Sequence, residues 1–438
     1  MQKDQSKLGL WTSTSLVVGN MIGAGVFLMP ATLASFGGIS IIGWICSSIG
    51  AFLLAKVFAH LSKIMPTGDG GPYAYSRKGL GDFAGFLVAW GYLVSVWCTN
   101  AAITVSFISA LSTFIPILAT NSFLAVFCGL ATIWFLTWVN TLGIVTSGRV
   151  QLATTILKIV PIVLVGIGGL FFIKLGNFLP FNSSGTSSFQ AITATTTLTF
   201  FAFLGIECAT IPSGSVANPE KTIAKATILG TLIATAVYIL STVSIMGMIP
   251  ASQLQNTVTP FADAATIIFG AGSKYWVSAG VAIAAFGALN GFILIQGQIP
   301  YAIAKDKLFP AIFAKKNSKG APAIGIAISS LFVSIFMSMN YTKGLVAQFK
   351  FLILLSTLTV LIPYLFSTAA YMILRLQEKS TTVKLISGAA LLSFFAFLFS
   401  LWMIYGSGEE TVFWGFLLSM SSVPIYVWAV WKRDRTAN

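Results

Sequence analysis

Two ionisable residues stand where an ionisable residue is expensive. Lys158, in Thr155-Ile156-Leu157-Lys158-Ile159-Val160-Pro161, and Glu207, in Phe203-Leu204-Gly205-Ile206-Glu207, each lie inside a long apolar run. A charge at the centre of a bilayer costs at least about 2.5 to 3.5 kcal/mol, so one that persists usually faces a cavity and does something there. The structural alternatives are a carboxyl that pins helices together and an ammonium in a static pair. Glycines mark the same neighbourhoods: Gly19-Asn20-Met21-Ile22-Gly23-Ala24-Gly25-Val26 near the start, and Gly205 just before Glu207. Each glycine inside a helix costs about 1 kcal/mol relative to alanine, so both segments are candidate interruptions. Close helix packing through small residues is the plainer alternative. The G-x-G pattern is not a dinucleotide loop, because no strand precedes it and the third glycine is absent.

The elements that must position these residues are membrane helices. Of 438 residues, 56% are hydrophobic and 8% charged, against about 25% charged in a soluble domain. Mean hydropathy is +0.89, which excludes an ordinary water-soluble enzyme. A spanning helix takes roughly 20 residues. Apolar runs place twelve spans near 10–35, 39–63, 81–114, 122–143, 151–174, 189–211, 224–248, 275–304, 323–340, 346–375, 384–405 and 411–431. The first run lacks a small-residue cleavage signature and reads as a retained helix. Pro66-Thr67-Gly68-Asp69-Gly70-Gly71-Pro72 and Asn317-Ser318-Lys319-Gly320 read as connections. No linker divides the chain into independent domains.

The net charge of +14 does not point to nucleic acid, since Lys and Arg sit in short loops rather than on one face of a soluble fold. Alternate loops hold 19 basic residues on one side and 4 on the other. The positive-inside rule then puts both termini in the cytoplasm. Lys56 and His60 lie near the cytoplasmic end of the second span, where snorkelling and interfacial packing account for them. The four cysteines have no C-x-x-C spacing, and neither a disulfide framework nor a zinc site is expected. Nor is a catalytic triad or phosphate loop present, so no cofactor is expected.

The two interruptions fall in spans 1 and 6, the first helices of two successive five-span groups. Transporters built from inverted repeats break helices at such matched positions, because free backbone groups at mid-membrane are tolerable only where they line a site. Amides opening the second half of span 1, those of Ala24 and Gly25 among them, would present a positive dipole end to a carboxylate. Unwound carbonyls nearby suit an ammonium, and an amino acid carries both groups.

Taken in order, the motifs resemble a known family, the amino acid, polyamine and organocation transporters, and within it the bacterial basic amino acid and polyamine antiporters. The match runs through Gly19-Asn20-Met21-Ile22-Gly23-Ala24-Gly25-Val26-Phe27 with Pro30, Gly70-Gly71-Pro72-Tyr73-Ala74-Tyr75, and Phe203-Leu204-Gly205-Ile206-Glu207 with Asn218-Pro219-Glu220-Lys221. It continues through Ser241-Thr242, Met246-Gly247-Met248-Ile249-Pro250, Lys307-Leu308-Phe309-Pro310 and Ile362-Pro363-Tyr364-Leu365. The resemblance implies an all-α membrane protein of about twelve transmembrane helices. Its 5+5 inverted-repeat core, with helices 1 and 6 broken, would occupy 1–375. Two further helices and a short cytoplasmic tail would occupy 376–438.

Residue by residue, the resemblance implies that Ile22, Gly23, Ala24 and Gly25 border the substrate on one side and Phe203, Gly205 and Ile206 on the other. Phe201 corresponds to an aromatic gate and Phe292 to a ring that stacks on the substrate side chain. Tyr92, Asn100 and Ser356 match positions lining the same pocket. Glu207 matches a carboxylate of cation recognition and gating. Lys158 matches a span 5 lysine that replaces a sodium ion in other branches, and so a coupling or gating role. Phe201 and Phe292 stand where arginine and polyamine exchangers typically carry Trp, the best cation-stacking ring, which argues against a guanidinium substrate. Ala24 replaces a serine common in that branch.

The function expected is exchange of amino acids, or of an amino acid for its amine product, by alternating access across the inner membrane. Partners are a small amino acid or amine and the lipid bilayer; nucleic acid is not expected, and a homodimer stays open. A proton-coupled symporter of the same fold and a non-transporting membrane receptor or scaffold remain alternatives.

Overall fold

Lipid offers no hydrogen bonds to the backbone, so apolar runs of this length must satisfy their own amides as helices. The computed structural model describes residues 9–23, 25–66, 70–142, 144–211, 216–339, 344–378 and 383–437. Among them nine helical stretches are long and apolar enough to cross a membrane, and one of these, Ser13–Ile64, contains both span 1 and span 2. Spans 5 and 9 supply the shorter apolar helices Leu157–Phe172 and Ala323–Ser338. The chain is a multi-pass, all-helical membrane protein with the twelve spans expected.

Span 1 is two helices, Leu10–Met21 and Gly25–Leu33. Span 2 is Ser40–Ile64, span 3 Asp82–Leu111, span 4 Ser122–Thr141 and span 5 Ile144–Gly169. Span 6 opens with Ser188–Phe200 and breaks into tight turns beyond it. Spans 7 to 11 are Pro219–Met248, Ser273–Lys305, Ala323–Ser338, Leu345–Gln377 and Val383–Gly406. Span 12 is interrupted at Ser421, giving Glu409–Met420 and Ser422–Ala437. Several helices outrun their apolar cores. Span 7, for instance, starts at Pro219 rather than near 224, because a proline at the first helical position costs no hydrogen bond.

Helix starts follow local chemistry. Ser187 and Gln190 form a reciprocal capping box that opens span 6, and Asn121 accepts the Leu124 amide at 3.0 Å to open span 4. Two short helices were not anticipated. Pro72–Leu80 sits between spans 2 and 3, and Pro260–Phe269 between spans 7 and 8; neither is long enough to read as a span.

Span 3 is the axis of the molecule. It is almost wholly buried and packs chiefly against spans 10 and 8. Spans 4, 11 and 12 leave most of their length outside the protein interior, with Phe123, Trp138, Phe394, Phe416 and Trp431 exposed. Such a rim is unfavourable in water and favourable in lipid. On the lysine-rich face, Arg77 bridges Asp82 at 2.9 Å and Asp306 at 2.8 Å. Arg433 of span 12 reaches Asp82 at 3.1 Å, and Tyr73 donates to Asp306 at 2.6 Å. Burial and the Asp306 carboxylate push the Tyr73 phenol far above its ordinary range. At the same face His60 stacks on Tyr371 and Lys56 lies over Phe52, the packed and interfacial roles expected of both.

Candidate functional site

The two interruptions meet. Span 1 unwinds at Ile22, whose ψ of 66° leaves the helical range, and resumes at Gly25. Span 6 turns at Phe201–Phe203, runs extended through Leu204 and reverses at Gly205, where φ is 106°. Only glycine takes that φ without strain. A Cβ there would also stand 3.2 Å from the Cβ of Asn20, so the glycine lets one break approach the other. The carbonyl of Ala202, freed by the break, accepts a 2.8 Å hydrogen bond from the Tyr238 hydroxyl of span 7. Main-chain groups at mid-membrane are tolerable when answered in this way.

A narrow, tightly closed hollow lies where the breaks face one another. The described residues bordering it include Asn20, Gly23, Gly25, Thr99, Phe201 and Phe292. The Phe201 ring sits directly on Gly25: a Cβ on that glycine would lie 2.8 Å from Phe201 Cε1. The hollow thus has one wall of exposed backbone and two of aromatic ring. Groups of that kind can take a carboxylate at helix amides and a cation over ring faces.

Beyond the hollow on one side, Phe201 packs edge-on against Phe349 at 6.0 Å and Phe27 against Phe261 at 5.1 Å. Phe261 belongs to the short Pro260–Phe269 helix, which therefore closes this face. On the lysine-rich face a vestibule of about 490 Å³ is bordered by Tyr73, Tyr92, Ile211, Tyr301, Lys305 and Lys316 among others.

Glu207 stands between vestibule and hollow. It is 1% exposed, and its two carboxyl oxygens accept separate hydroxyls, Tyr92 of span 3 at 2.5 Å and Tyr364 of span 10 at 2.6 Å. One carboxyl group thereby ties spans 3, 6 and 10 together. Lys158 is fully buried and donates to the main-chain carbonyl of Gly19, in the turn just before the break in span 1.

Of the residues expected at the site, Gly23, Gly25, Phe201 and Phe292 border the hollow, and Tyr92 borders the vestibule. Gly205 lies against Asn20. Ile22, Phe203 and Ile206 are wholly buried beside the breaks, with Phe203 packed on Trp44 and Tyr238. Ser356 and Asn100 stand one layer back. The Ser356 hydroxyl meets those of Thr99 at 2.7 Å and Ser95 at 3.0 Å. Asn100 donates to Gln296 at 2.7 Å, and Gln296 in turn donates to Ser330. Ala24 lies outside the described residues. Thr99, Asn20, Gln296 and the partnership of Tyr364 with Glu207 were not anticipated. No metal-ligating cluster occurs among the described residues.

Comparison with known proteins places this geometry in company. The family model for amino acid permeases matches residues 8–431. The chain is similar to the cadaverine/lysine antiporter of Escherichia coli, at 35% identity over 367 residues, 82% of each chain. It is similar also to the arginine/ornithine antiporter of Pseudomonas aeruginosa, at 30% identity over 422 residues, 93% of this chain and 87% of that one. The putrescine transporter of Haemophilus influenzae is 28% identical over 435 residues, 99% of each.

Proposed function

Since the chain belongs to the amino acid permease family, we propose that it is a membrane antiporter exchanging amino acids, or an amino acid for its amine product, by alternating access. The observation that carries this is the meeting of two interrupted helices at a hollow with backbone on one wall and the rings of Phe201 and Phe292 on the others. The substrate carboxylate binds the amides that open the second half of span 1 at Gly25, with Ala24 beside it, and the side-chain cation lies toward Phe201 and Phe292. The backbone of Ile22, Gly23, Phe203, Gly205 and Ile206 frames it, and Asn100 and Ser356 hold the second layer.

The core comprises two inverted five-span groups over 1–375, followed by two accessory spans over 376–438. The lysine-rich face is cytoplasmic by the positive-inside rule, with both termini there and the inner membrane as the location. In that orientation the vestibule opens inward, and the Phe201–Phe349 and Phe27–Phe261 contacts form the closed outer gate. Glu207 with Tyr92 and Tyr364 forms the inner partition, and Lys158 steadies the break in span 1. Substrate on one side is taken up only as the gate on the other side closes.

Relatives named for lysine with cadaverine and for arginine with ornithine support a basic side chain. The test is exchange in proteoliposomes with a panel of amino acids and diamines inside and outside. Labelled substrate should enter only vesicles loaded with a counter-substrate. Uptake into empty vesicles driven by a pH gradient would establish symport instead, and no flux or binding with any of the panel would leave a receptor or scaffold.

A further inference from the structure

Behind span 3 lies a groove that the transport cycle leaves unused. Its walls include Trp90, Leu93 and Trp97 of span 3, Phe332 of span 9, Trp428 of span 12 and Phe309, and its volume is about 440 Å³. Trp90, Leu93 and Trp97 recur at i, i+3 and i+7, one face of the helix. Tyr92, Ser95 and Thr99 recur at the same spacing on another face and bond to Glu207 and Ser356. The groove therefore lies on the back of the helix whose front carries the partners of Glu207 and Ser356.

The groove is built rather than incidental. Trp90 donates its indole N–H to the Leu418 carbonyl at 2.8 Å, next to the interruption of span 12. Trp97 stacks on Phe332 at 4.4 Å. The Trp90 contact fixes span 12 to the core just before its interruption and leaves an apolar slot beside its second half, Ser422–Ala437. Phe332 and Trp428 remain 37% and 43% exposed along the open side.

A positive rim tops the slot. Lys432 lies over the ring of Trp428, 5.2 Å from its centroid, and Arg435 over Trp431 at 4.2 Å. From Lys432 down to Pro424, also on the groove wall, the helix descends about 12 Å, close to the roughly 15 Å hydrocarbon depth of one leaflet. We propose that this groove binds one anionic phospholipid of the lysine-rich leaflet. An acyl tail lies against Trp90, Trp97 and Trp428, the phosphate sits beside Lys432, and the lipid braces the back of span 3. A basic pocket between helices at the leaflet surface has the right chemistry for such a headgroup.

The test is native mass spectrometry of the detergent-purified full chain incubated with phosphatidylglycerol or phosphatidylethanolamine, a readout independent of whether the chain exchanges amino acids. The wild type should retain one phosphatidylglycerol more than Ile425→Trp, which fills the slot. Lys432→Gln should weaken that retention roughly fivefold while leaving phosphatidylethanolamine unaffected. Because Lys432 is a surface residue, this variant carries the test even if Ile425→Trp does not fold. In proteoliposomes, added phosphatidylglycerol should speed exchange by the wild type and not by Ile425→Trp. Equal lipid retention by wild type and both variants would overturn the proposal. So would efficient disulfide crosslinking of two copies through Ile425→Cys.

Discussion

Phe201 occupies the space that any side chain on Gly25 would need, with Phe201 Cε1 only 2.8 Å from where the Cβ would fall. The restart of span 1 and the turn in span 6 therefore share one contact, and a substrate carboxylate reaching the Gly25 amide must pass beside that ring. Gly25→Leu should displace Phe201 and fill the approach. Overpacking of this kind costs about 1–3 kcal/mol of stability, which the fold should survive, and the leucine filling the approach should lower substrate affinity by roughly tenfold, about 1.4 kcal/mol. Substrate-induced thermal stabilisation of the purified variant measures this. Wild-type affinity would remove Gly25 from the carboxylate site.

Glu207 receives two phenolic donors from two different spans, so a change at its carboxyl reaches spans 3 and 10 at once. Glu207→Gln should preserve folding, because an amide can still accept from one tyrosine, but it should alter the pH profile of exchange or the ranking of cationic substrates. Tyr364→Phe removes one donor and should shift the same properties in the same direction, with a stability loss of about 1–3 kcal/mol for the buried oxygen left unpaired. Exchange rates measured across pH for both variants decide the matter; profiles and rankings identical to wild type would rule this role out.

What the sequence made legible follows from cost. A glycine pair in an apolar run and a carboxylate in an apolar span are expensive, so the breaks at Ile22 and Gly205 and a carboxyl buried at Glu207 were visible. The partner Tyr364 was not, because a tyrosine in a helix reads as packing and its acceptor lies 157 residues away in the chain. Thr99 was equally opaque, and Ser356 was marked only by the family resemblance: a hydroxyl in a membrane helix usually bonds its own preceding turn, whereas here the two meet each other. Asn100 was marked only by the family resemblance, and its partner, Gln296 of span 8, was not anticipated. The helix Pro260–Phe269, which closes one face, is too short to register as a span.

Phe292 bears on which cation is preferred. Phenylalanine attracts a cation less strongly than tryptophan, and the planar guanidinium gains most from a broad ring. The wild type should therefore favour lysine or ornithine over arginine. Phe292→Trp should move the preference toward arginine by several-fold, about 0.5–1 kcal/mol. Competition of each amino acid against labelled lysine in counterflow gives the ratio, and an unchanged ratio would separate Phe292 from the side-chain pocket.

Lys158 is, after Glu207, a second buried basic or acidic residue among the described residues, and it grips a carbonyl rather than a carboxylate. The Gly19 carbonyl sits in the last turn of the first half of span 1, so the ammonium holds that half-helix against span 5 without neutralising any acid. If this bond must break and reform as span 1 tilts, Lys158→Met should slow exchange several-fold and flatten its pH dependence, since methionine fills the space but can neither donate nor titrate. Substrate affinity should change little, because Lys158 does not border the hollow. The split between a reduced kcat and a retained KM is therefore the informative result. A variant that loses affinity but keeps its rate would instead place Lys158 on the substrate, and one that matches wild type at every pH would make it a packing residue only.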